Sequence, residues 1–84
     1  MYDYYFTFRS ITGAQRGEQA LMRQSVHCKL LRSPKFLSLK GCGYALKVRS
    51  VQALAAANVL RLYAVPFKNI YRVDTAGHGE EVVL

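Results

Sequence analysis

The spacing of apolar residues switches between two periods along this chain, and this switching constrains the fold more than any other feature. Four segments have the alternation or composition of strands with one buried face, and they are residues 4–10, 26–32, 43–49 and 67–73. Two segments repeat apolar positions at helical spacing, and they are residues 12–24 and 50–63. The order β-α-β-β-α-β predicts an α+β, ferredoxin-like sandwich, in which a four-stranded antiparallel sheet has both helices on one face.

The length of 84 residues allows one small hydrophobic core. We expect a single domain over residues 1–74 and a disordered tail over residues 75–84, which are polar and contain glycine. Arg, Lys or Asn interrupts each apolar run well before the ~18 residues that a membrane span needs, and no basic-then-apolar leader follows Met1. The sequence therefore predicts a cytoplasmic protein that does not bind a membrane.

Two cysteines are too few for a disulfide framework, and no Cys/His spacing predicts a zinc site. We expect free thiols and no metal or other cofactor. Alternation places Cys28 on the same face as Val26 and Leu30, which predicts a structural thiol in the core. Cys42 lies instead in the connection 34–43 between two predicted strands. A connection of this length in so small a domain is more often functional than idle.

The net charge of +7 is concentrated in the first half of the chain. Nine of the 12 Lys and Arg residues lie within residues 1–50, and no acidic residue occurs between Glu18 and Asp74. The surface around Cys42 should therefore have a positive potential that favours anionic partners. A solvated basic face without any ligand explains the same composition equally well.

The stretch KGCGYALK partly matches an RNA-recognition strand, in which aromatic rings at alternate positions stack on bases. That function requires Tyr44 to face solvent, and Leu46 and Val48 would then face solvent too. Lys47 and Arg49 would be buried, and an unpaired buried charge costs several kcal/mol. The opposite register puts the three apolar side chains in the core, which makes RNA binding by this route the weaker interpretation.

The same stretch also fits a reactive thiol. Gly41 and Gly43 on either side of Cys42 allow positive φ angles and close approach of a partner, and their N–H groups can bind an anion. Positive charge on Lys40, together with Lys35 or Lys47, would lower the pKa of the thiol. The alternative is a tight Gly-Cys-Gly turn into the third strand without a chemical role, and the residues alone favour neither interpretation.

Several motifs, in order along the chain, resemble a family of small bacterial proteins described as selenium/sulfur carrier protein-like. They are the opening strand YYFTFRS, Ala14 and Glu18 in the first helix, Pro34 with Lys35, Cys42 and Gly43 followed by Ala45 and Leu46, and Ile70 with Tyr71. Lys35 stands where the family pattern has arginine, so it keeps the charge but loses the two-pronged hydrogen-bonding geometry. Cys28 has no counterpart in that pattern, which agrees with a structural role.

The resemblance implies that Cys42 carries sulfur or selenium, as a persulfide or selenopersulfide, from a donor protein to an acceptor protein. The chain would then be a carrier rather than a stand-alone enzyme, with a thiolate environment formed by Lys35, Lys40, Gly41 and Gly43. The alternative is a small basic module that binds nucleic acid or a protein partner through the open face of its sheet, without chemistry. Arg9, Lys29, Lys47 and Arg49 are predicted to lie on that face, where they could bind phosphates non-specifically. A homodimer through that face or through the apolar second helix is a third prediction.

Overall fold

The computed structural model describes residues 2–33 and 43–84, which form two α-helices and a five-stranded antiparallel sheet. In chain order the elements are β1 (Asp3–Phe8), α1 (Ile11–Arg23), β2 (Cys28–Arg32), β3 (Tyr44–Arg49), α2 (Ala53–Leu62), β4 (Ile70–Val73) and β5 (Gly79–Val82). A 3-10 turn, Ser50–Gln52, leads into α2. The strand order β2-β3-β1-β4-β5 places β1 at the centre of the sheet. The predicted α+β class is confirmed.

Helix α1 is fixed at its start by a side-chain cap and along its length by close packing on the sheet. The Ser10 side-chain oxygen accepts a hydrogen bond from the N–H of Gly13 at 3.1 Å. Gly17 lies closest to the sheet, since a Cβ there would stand 2.9 Å from Cδ1 of Leu46 and 3.1 Å from Cζ of Phe8. Glycine at this position therefore sets how near the helix approaches the sheet.

Neither helix of the described ranges is long and apolar enough to cross a membrane.

The hydrophobic core lies between the two helices and one face of the sheet. Its buried residues from the strands and α2 are Phe6, Phe8, Leu46, Val48, Ile70, Ala56, Ala57 and Leu60. Tyr44 is half-buried and packs against the same cluster. The register that places Leu46 and Val48 in the core is thus confirmed. The charged residues of β3 point to the other face, as that register requires.

On the face of the sheet away from the helices, the central residues are also shielded from solvent. Thr7 and Ala45 are 1% and 0% exposed, and Tyr71 and Val73 are also buried. The Thr7 hydroxyl donates to the carbonyl oxygen of Asn69 at 3.3 Å and accepts from its N–H at 3.1 Å, so this buried polar group is satisfied. The sheet face that the sequence predicted to be open therefore exposes only part of its surface.

The chain after β4 forms a strand, which corrects two predictions. Strand β5 pairs antiparallel with β4, so the sheet has five strands rather than four, and residues 75–84 contain a strand where a disordered tail was expected. The carboxylate Oδ1 of Asp74 accepts hydrogen bonds from the N–H groups of Ala76 at 3.0 Å and His78 at 2.9 Å. Gly77 adopts a φ of 87° in this turn. The polar residues that suggested disorder are those that form the turn.

Candidate functional site

The predicted site begins where β2 and β3 end side by side. The N–H of Ser33 donates to the carbonyl oxygen of Gly43 at 3.1 Å, just beyond the paired residues Arg32 and Tyr44. Residues 34–42 thus connect two adjacent antiparallel strands whose ends are hydrogen-bonded to each other. The sheet fixes both attachment points of this connection.

Gly43 is the predicted site residue that lies within the described ranges. It is exposed, and a Cβ added to it would meet no atom of residues 2–33 or 43–84 within 4 Å. Crowding by this part of the chain therefore does not require glycine here. Its role beside the thiol stays a prediction. The other predicted site residues lie outside the described residues, and they are Lys35, Lys40, Gly41 and Cys42.

Positively charged side chains lie at this end of the sheet. Arg32 is exposed, and its guanidinium carbon lies 5.9 Å from the centre of the Tyr44 ring. Arg9, also exposed, directly follows Phe8, which pairs with Tyr44 across β1 and β3. The carboxylate of Asp3 is at the opposite end of β1. The charges at the Gly43 end therefore favour an anionic group, including a thiolate.

A cavity of about 350 Å³ lies at the same end of the sheet, beside the start of α1. Its principal lining residues are Phe8, Pro66, Phe67, Arg9 and Lys68. The volume falls within the ~300–1,000 Å³ range of ligand-binding cavities. Aromatic walls together with two positively charged side chains suit a small ligand, or a segment of a partner, that has both an apolar part and an anionic group.

Sequence reasoning missed this cavity because it extended the fourth strand too far. Residues 67–73 were predicted as a strand, whereas β4 begins at Ile70. The segment before it runs beside β1, where the N–H of Lys68 donates to the carbonyl oxygen of Thr7 at 2.8 Å. Pro66 was the available signal, since proline has no N–H and disfavours continuous sheet pairing nearby.

Cys28 lies on the core side of β2, as its alternation predicted. The side chain is half-buried and packs against the hydrophobic core. Burial, followed by the nearby Glu18 carboxylate, raises the pKa of the Cys28 thiol to about 11. This cysteine is therefore held as a neutral thiol at physiological pH. Its assignment as a structural residue is supported by both position and ionisation.

Metal ligation has no support among residues 2–33 and 43–84. No group of three or more His, Cys, Asp and Glu side chains in these ranges is placed to hold a metal ion. His78 lies beside Asp74 in the β4–β5 turn, with 3.6 Å between Nδ1 and the carboxylate Oδ2. His27 precedes β2, and its N–H donates to Oε1 of Gln52 at 3.2 Å. The His78 imidazole is therefore part of the β4–β5 turn, whereas the bond at His27 comes from its backbone.

The model of a protein family described as Putative Se/S carrier protein-like matches residues 3–72. This range covers β1 to most of β4 and includes the connection that contains Cys42. No curated protein and no solved structure gives a significant match to the chain.

Proposed function

The chain belongs to the Putative Se/S carrier protein-like family, and on this basis we propose that it is a cytoplasmic sulfur or selenium carrier that uses Cys42 as the attachment site. The observation that carries the proposal is the family match over residues 3–72, because it spans Cys42 and most of the chain. A carrier interacts with other proteins, since one must load it and another must unload it. Donor and acceptor proteins are therefore its proposed partners.

The ionisation of Cys28 supports the choice of Cys42 as the attachment site. A thiolate, rather than a thiol, is the nucleophile in sulfur transfer. With a pKa of about 11, Cys28 would be ionised in only about one molecule in a thousand at pH 8. Of the two cysteines in the chain, Cys28 is therefore a poor nucleophile at this pH. We assign the carrier role to Cys42 for this reason.

The proposed transfer needs no oxidant, reductant or metal. The Cys42 thiolate attacks the terminal sulfur of a donor persulfide, a new S–S bond forms, and the donor's own S–S bond breaks. The donor leaves as a thiolate with the electron pair of the broken bond. An acceptor nucleophile then attacks the terminal sulfur on Cys42 and releases the Cys42 thiolate. Selenium in the terminal position follows the same sequence of bond changes.

Positive charge around the β2–β3 connection fits this chemistry. Arg9 and Arg32 lie at the Gly43 end of the sheet, and the connection itself contains Lys35 and Lys40. These charges would stabilise the thiolate and the persulfide anion that replaces it. We propose that the 350 Å³ cavity at this end receives part of the donor or acceptor. The cavity's positively charged residues would attract an anionic group on that partner.

The arrangement of the helices and strands also agrees with the family assignment. We propose that β1 to β4 and both helices form a ferredoxin-like unit, which β5 extends at one edge.

Large apolar side chains on α2 and the turn before it are exposed, namely Val51, Leu54 and Leu62. They offer a contact surface for a partner protein. A homodimer through this helix stays a prediction.

RNA recognition by base stacking has less support than a carrier function. On the face of the sheet away from the helices, Thr7, Ala45 and Tyr71 are all buried. Base stacking needs exposed aromatic rings on such a face. Tyr44 packs against the core on the other side instead. Tyr5 is the half-buried aromatic residue on that face, and a single ring is less than the two or three that an RNA-binding sheet uses.

Persulfide loading followed by intact-mass measurement tests the proposal. The protein is incubated with a cysteine desulfurase and cysteine, or with a selenium donor, and its mass is recorded without reduction. We expect an adduct of about 32 Da for one sulfur atom or about 80 Da for one selenium atom. The adduct should vanish in Cys42→Ser and persist in Cys28→Ser. An adduct that maps to Cys28, or no adduct on either thiol, would contradict the carrier function.

The rate of loading tests the charges assigned to the site. Lys35→Gln and Lys40→Gln should slow loading at pH 7 and have less effect at pH 10, where the thiol is ionised without their help. Arg16→Gln, on the exposed side of α1, removes the same charge elsewhere and serves as the control. Equal slowing by all three substitutions would indicate a general charge effect rather than a local one.

A further inference from the structure

We propose that the protein has a second site, which binds a single phosphate group between Lys29, Lys47 and Arg49. These residues lie on β2 and β3, at the end of the sheet away from Gly43. Lys47 and Arg49 follow Gly43 by four and six residues along β3, which is about 13 Å and 20 Å at ~3.3 Å per residue. The inference uses different residues from the carrier proposal and does not depend on it.

The register of the strands brings like charges together. Lys29 stands directly opposite Lys47 in the antiparallel pair of β2 and β3. Arg49 follows two residues after Lys47 and points to the same face of the sheet. Like charges at directly opposed positions destabilise a sheet. An anion bound between these side chains would relieve the repulsion, because each positive charge would then face a negative one.

Carboxylates compensate for these charges only in part. Asp3 pairs with Arg49 in register, and its Oδ2 lies 3.6 Å from Nζ of Lys47. Within residues 2–33 and 43–84, neither Lys29 nor Arg49 forms an ion pair with a carboxylate. Residues 34–42 contain no acidic side chain that could supply one. Three positive charges against one negative charge leave the cluster with a net charge of two positive units.

A shallow cavity lies among these side chains. Its volume is about 250 Å³, and His27 and Cys28 complete the lining formed by Asp3 and the three positively charged residues. This is below the ~300–1,000 Å³ of cavities that hold drug-sized ligands, so it suits a small anion or the phosphate end of a larger molecule. Arg49 can bind two oxygens of one phosphate with its planar guanidinium, and the lysines add point charges.

The surroundings favour a local phosphate contact over a nucleic-acid strand lying across the sheet. Beyond the cluster, the same face continues with Ala45 and Thr7, which are 0% and 1% exposed. Tyr5, opposite Lys47, is the half-buried aromatic side chain beside the cluster. One ring followed by two buried small residues does not form a row of stacking positions for a strand that crosses the face. Phosphate is therefore the shared chemistry, and a phosphate monoester or the end of an oligonucleotide could supply it.

Nuclear magnetic resonance titration of the full-length protein with inorganic phosphate tests this site. Spectra are recorded at constant ionic strength, with sodium chloride replaced stepwise by sodium phosphate. We expect saturable shifts of the amide signals of Lys29, Lys47 and Arg49, with a dissociation constant on the order of 1 mM. Shifts that do not saturate, or that chloride reproduces, would overturn the proposal.

Charge substitutions distinguish a built site from general attraction. Lys47→Gln and Arg49→Gln should each weaken phosphate binding by about tenfold, as loss of one charge-assisted contact predicts. Arg16→Gln and Arg23→Gln remove the same charge from the exposed side of α1 and should leave binding within about twofold. Asp3→Asn should strengthen binding, because the competing carboxylate is gone. Weaker binding in Asp3→Asn, or equal losses in the α1 variants, would contradict the proposed cluster.

Two further ligands identify the source of the phosphate. Adenosine monophosphate and an oligothymidine of about eight nucleotides are titrated separately at two salt concentrations. Binding of both with similar affinity per phosphate indicates a monoester site. Much tighter binding of the oligonucleotide, with a steep salt dependence that Arg49→Gln reduces, indicates a nucleic-acid backbone. If neither ligand nor inorganic phosphate binds, the proposed phosphate site does not exist, and this conclusion holds whatever the result of persulfide loading.

Discussion

The N–H nitrogen of Ser33 and the carbonyl oxygen of Gly43 are 3.1 Å apart, so the connection proposed to carry the reactive cysteine is closed by a hydrogen bond at its base. This bond continues the ladder of β2 and β3, in which Arg32 pairs with Tyr44. The sheet therefore holds the two ends of the connection independently of what the nine residues between them do. Chemistry on Cys42 can be studied against a framework that does not rely on that residue.

The ionisation of Cys28 should occur well above its ordinary range. Burial and then Glu18 raise the pKa of its thiol from 9.0 to about 11. In a Cys42→Ser background, the rate of alkylation by iodoacetamide should keep rising between pH 9 and pH 11. Because the folded protein holds the proton more tightly than the unfolded chain, the associated stability is complete below about pH 9 and is lost as pH rises towards 11.

The substitution Glu18→Gln tests how much the Glu18 carboxylate contributes to the raised pKa of the Cys28 thiol. Removing the carboxylate should lower the pKa of the Cys28 thiol but leave it above 9.0, since burial is the larger cause. Measured midpoints of alkylation at or below 9.0 in the parent protein would show that Cys28 is more accessible than its half-buried position indicates.

The close approach of α1 to the sheet should make Gly17 intolerant of a side chain. In Gly17→Ala, the new Cβ would lie 2.9 Å from Leu46, 3.1 Å from Phe8 and 3.2 Å from Leu60, and all three are buried. Overpacking of a core costs about 1–3 kcal/mol, against about 1 kcal/mol gained in helix propensity. We expect a net loss of about 1 kcal/mol in the free energy of unfolding, measured by urea denaturation.

Gly13→Ala is the control for this prediction. It lies in the same helix, but its added Cβ would meet only ordinary contacts, at 3.4 Å from Ser10 and 3.6 Å from Phe8. The gain in helix propensity should therefore dominate and leave stability unchanged or slightly higher. If Gly17→Ala were as stable as Gly13→Ala, the helix would have room to move away from the sheet.

The fifth strand should depend on ionised Asp74. The hydrogen bond from the backbone N–H of His78 is the main cause that lowers the pKa of this carboxyl below 3.8. A lowered pKa means that the stabilisation is present above about pH 3.8 and is lost as pH falls below it. Asp74→Ala should speed amide hydrogen exchange in β5, whereas Asp74→Asn keeps an acceptor oxygen and should have a smaller effect. Equal exchange in both variants would show that strand pairing alone holds β5.

Periodicity was sufficient to locate most of the fold, because it depends on residues close in sequence. Helix α1 was predicted at 12–24 and lies at Ile11–Arg23, and the register of β3 was predicted from the charges that it would otherwise bury. Strand β5 was missed because its turn depends on a side chain bonding to backbone groups, which composition describes only as polar. Local patterns identify faces and periods, but not such pairings.

The same distinction applies to the sites. Alternation was enough to place Cys28 on the core side, since it needs only the neighbours Val26 and Leu30. Alternation also placed Lys29 and Lys47 on the same open face. Their direct opposition could not be predicted, because it requires the register of two strands that a long connection separates in sequence. The arrangement around Cys42 depends on the connection itself and stays a prediction from family membership and charge.

The central position of β1 has a consequence for how the protein is made. Strand β1 leaves the ribosome before β3 and β4, with which it pairs, and Thr7 is made 62 positions before its hydrogen-bonding partner Asn69. At ~5–20 residues per second, synthesis of that interval takes about 3–12 seconds. During this time Phe6 and Phe8 lack the partners that later bury them. The nascent chain therefore has a delay in folding that the arrangement of its own sheet imposes.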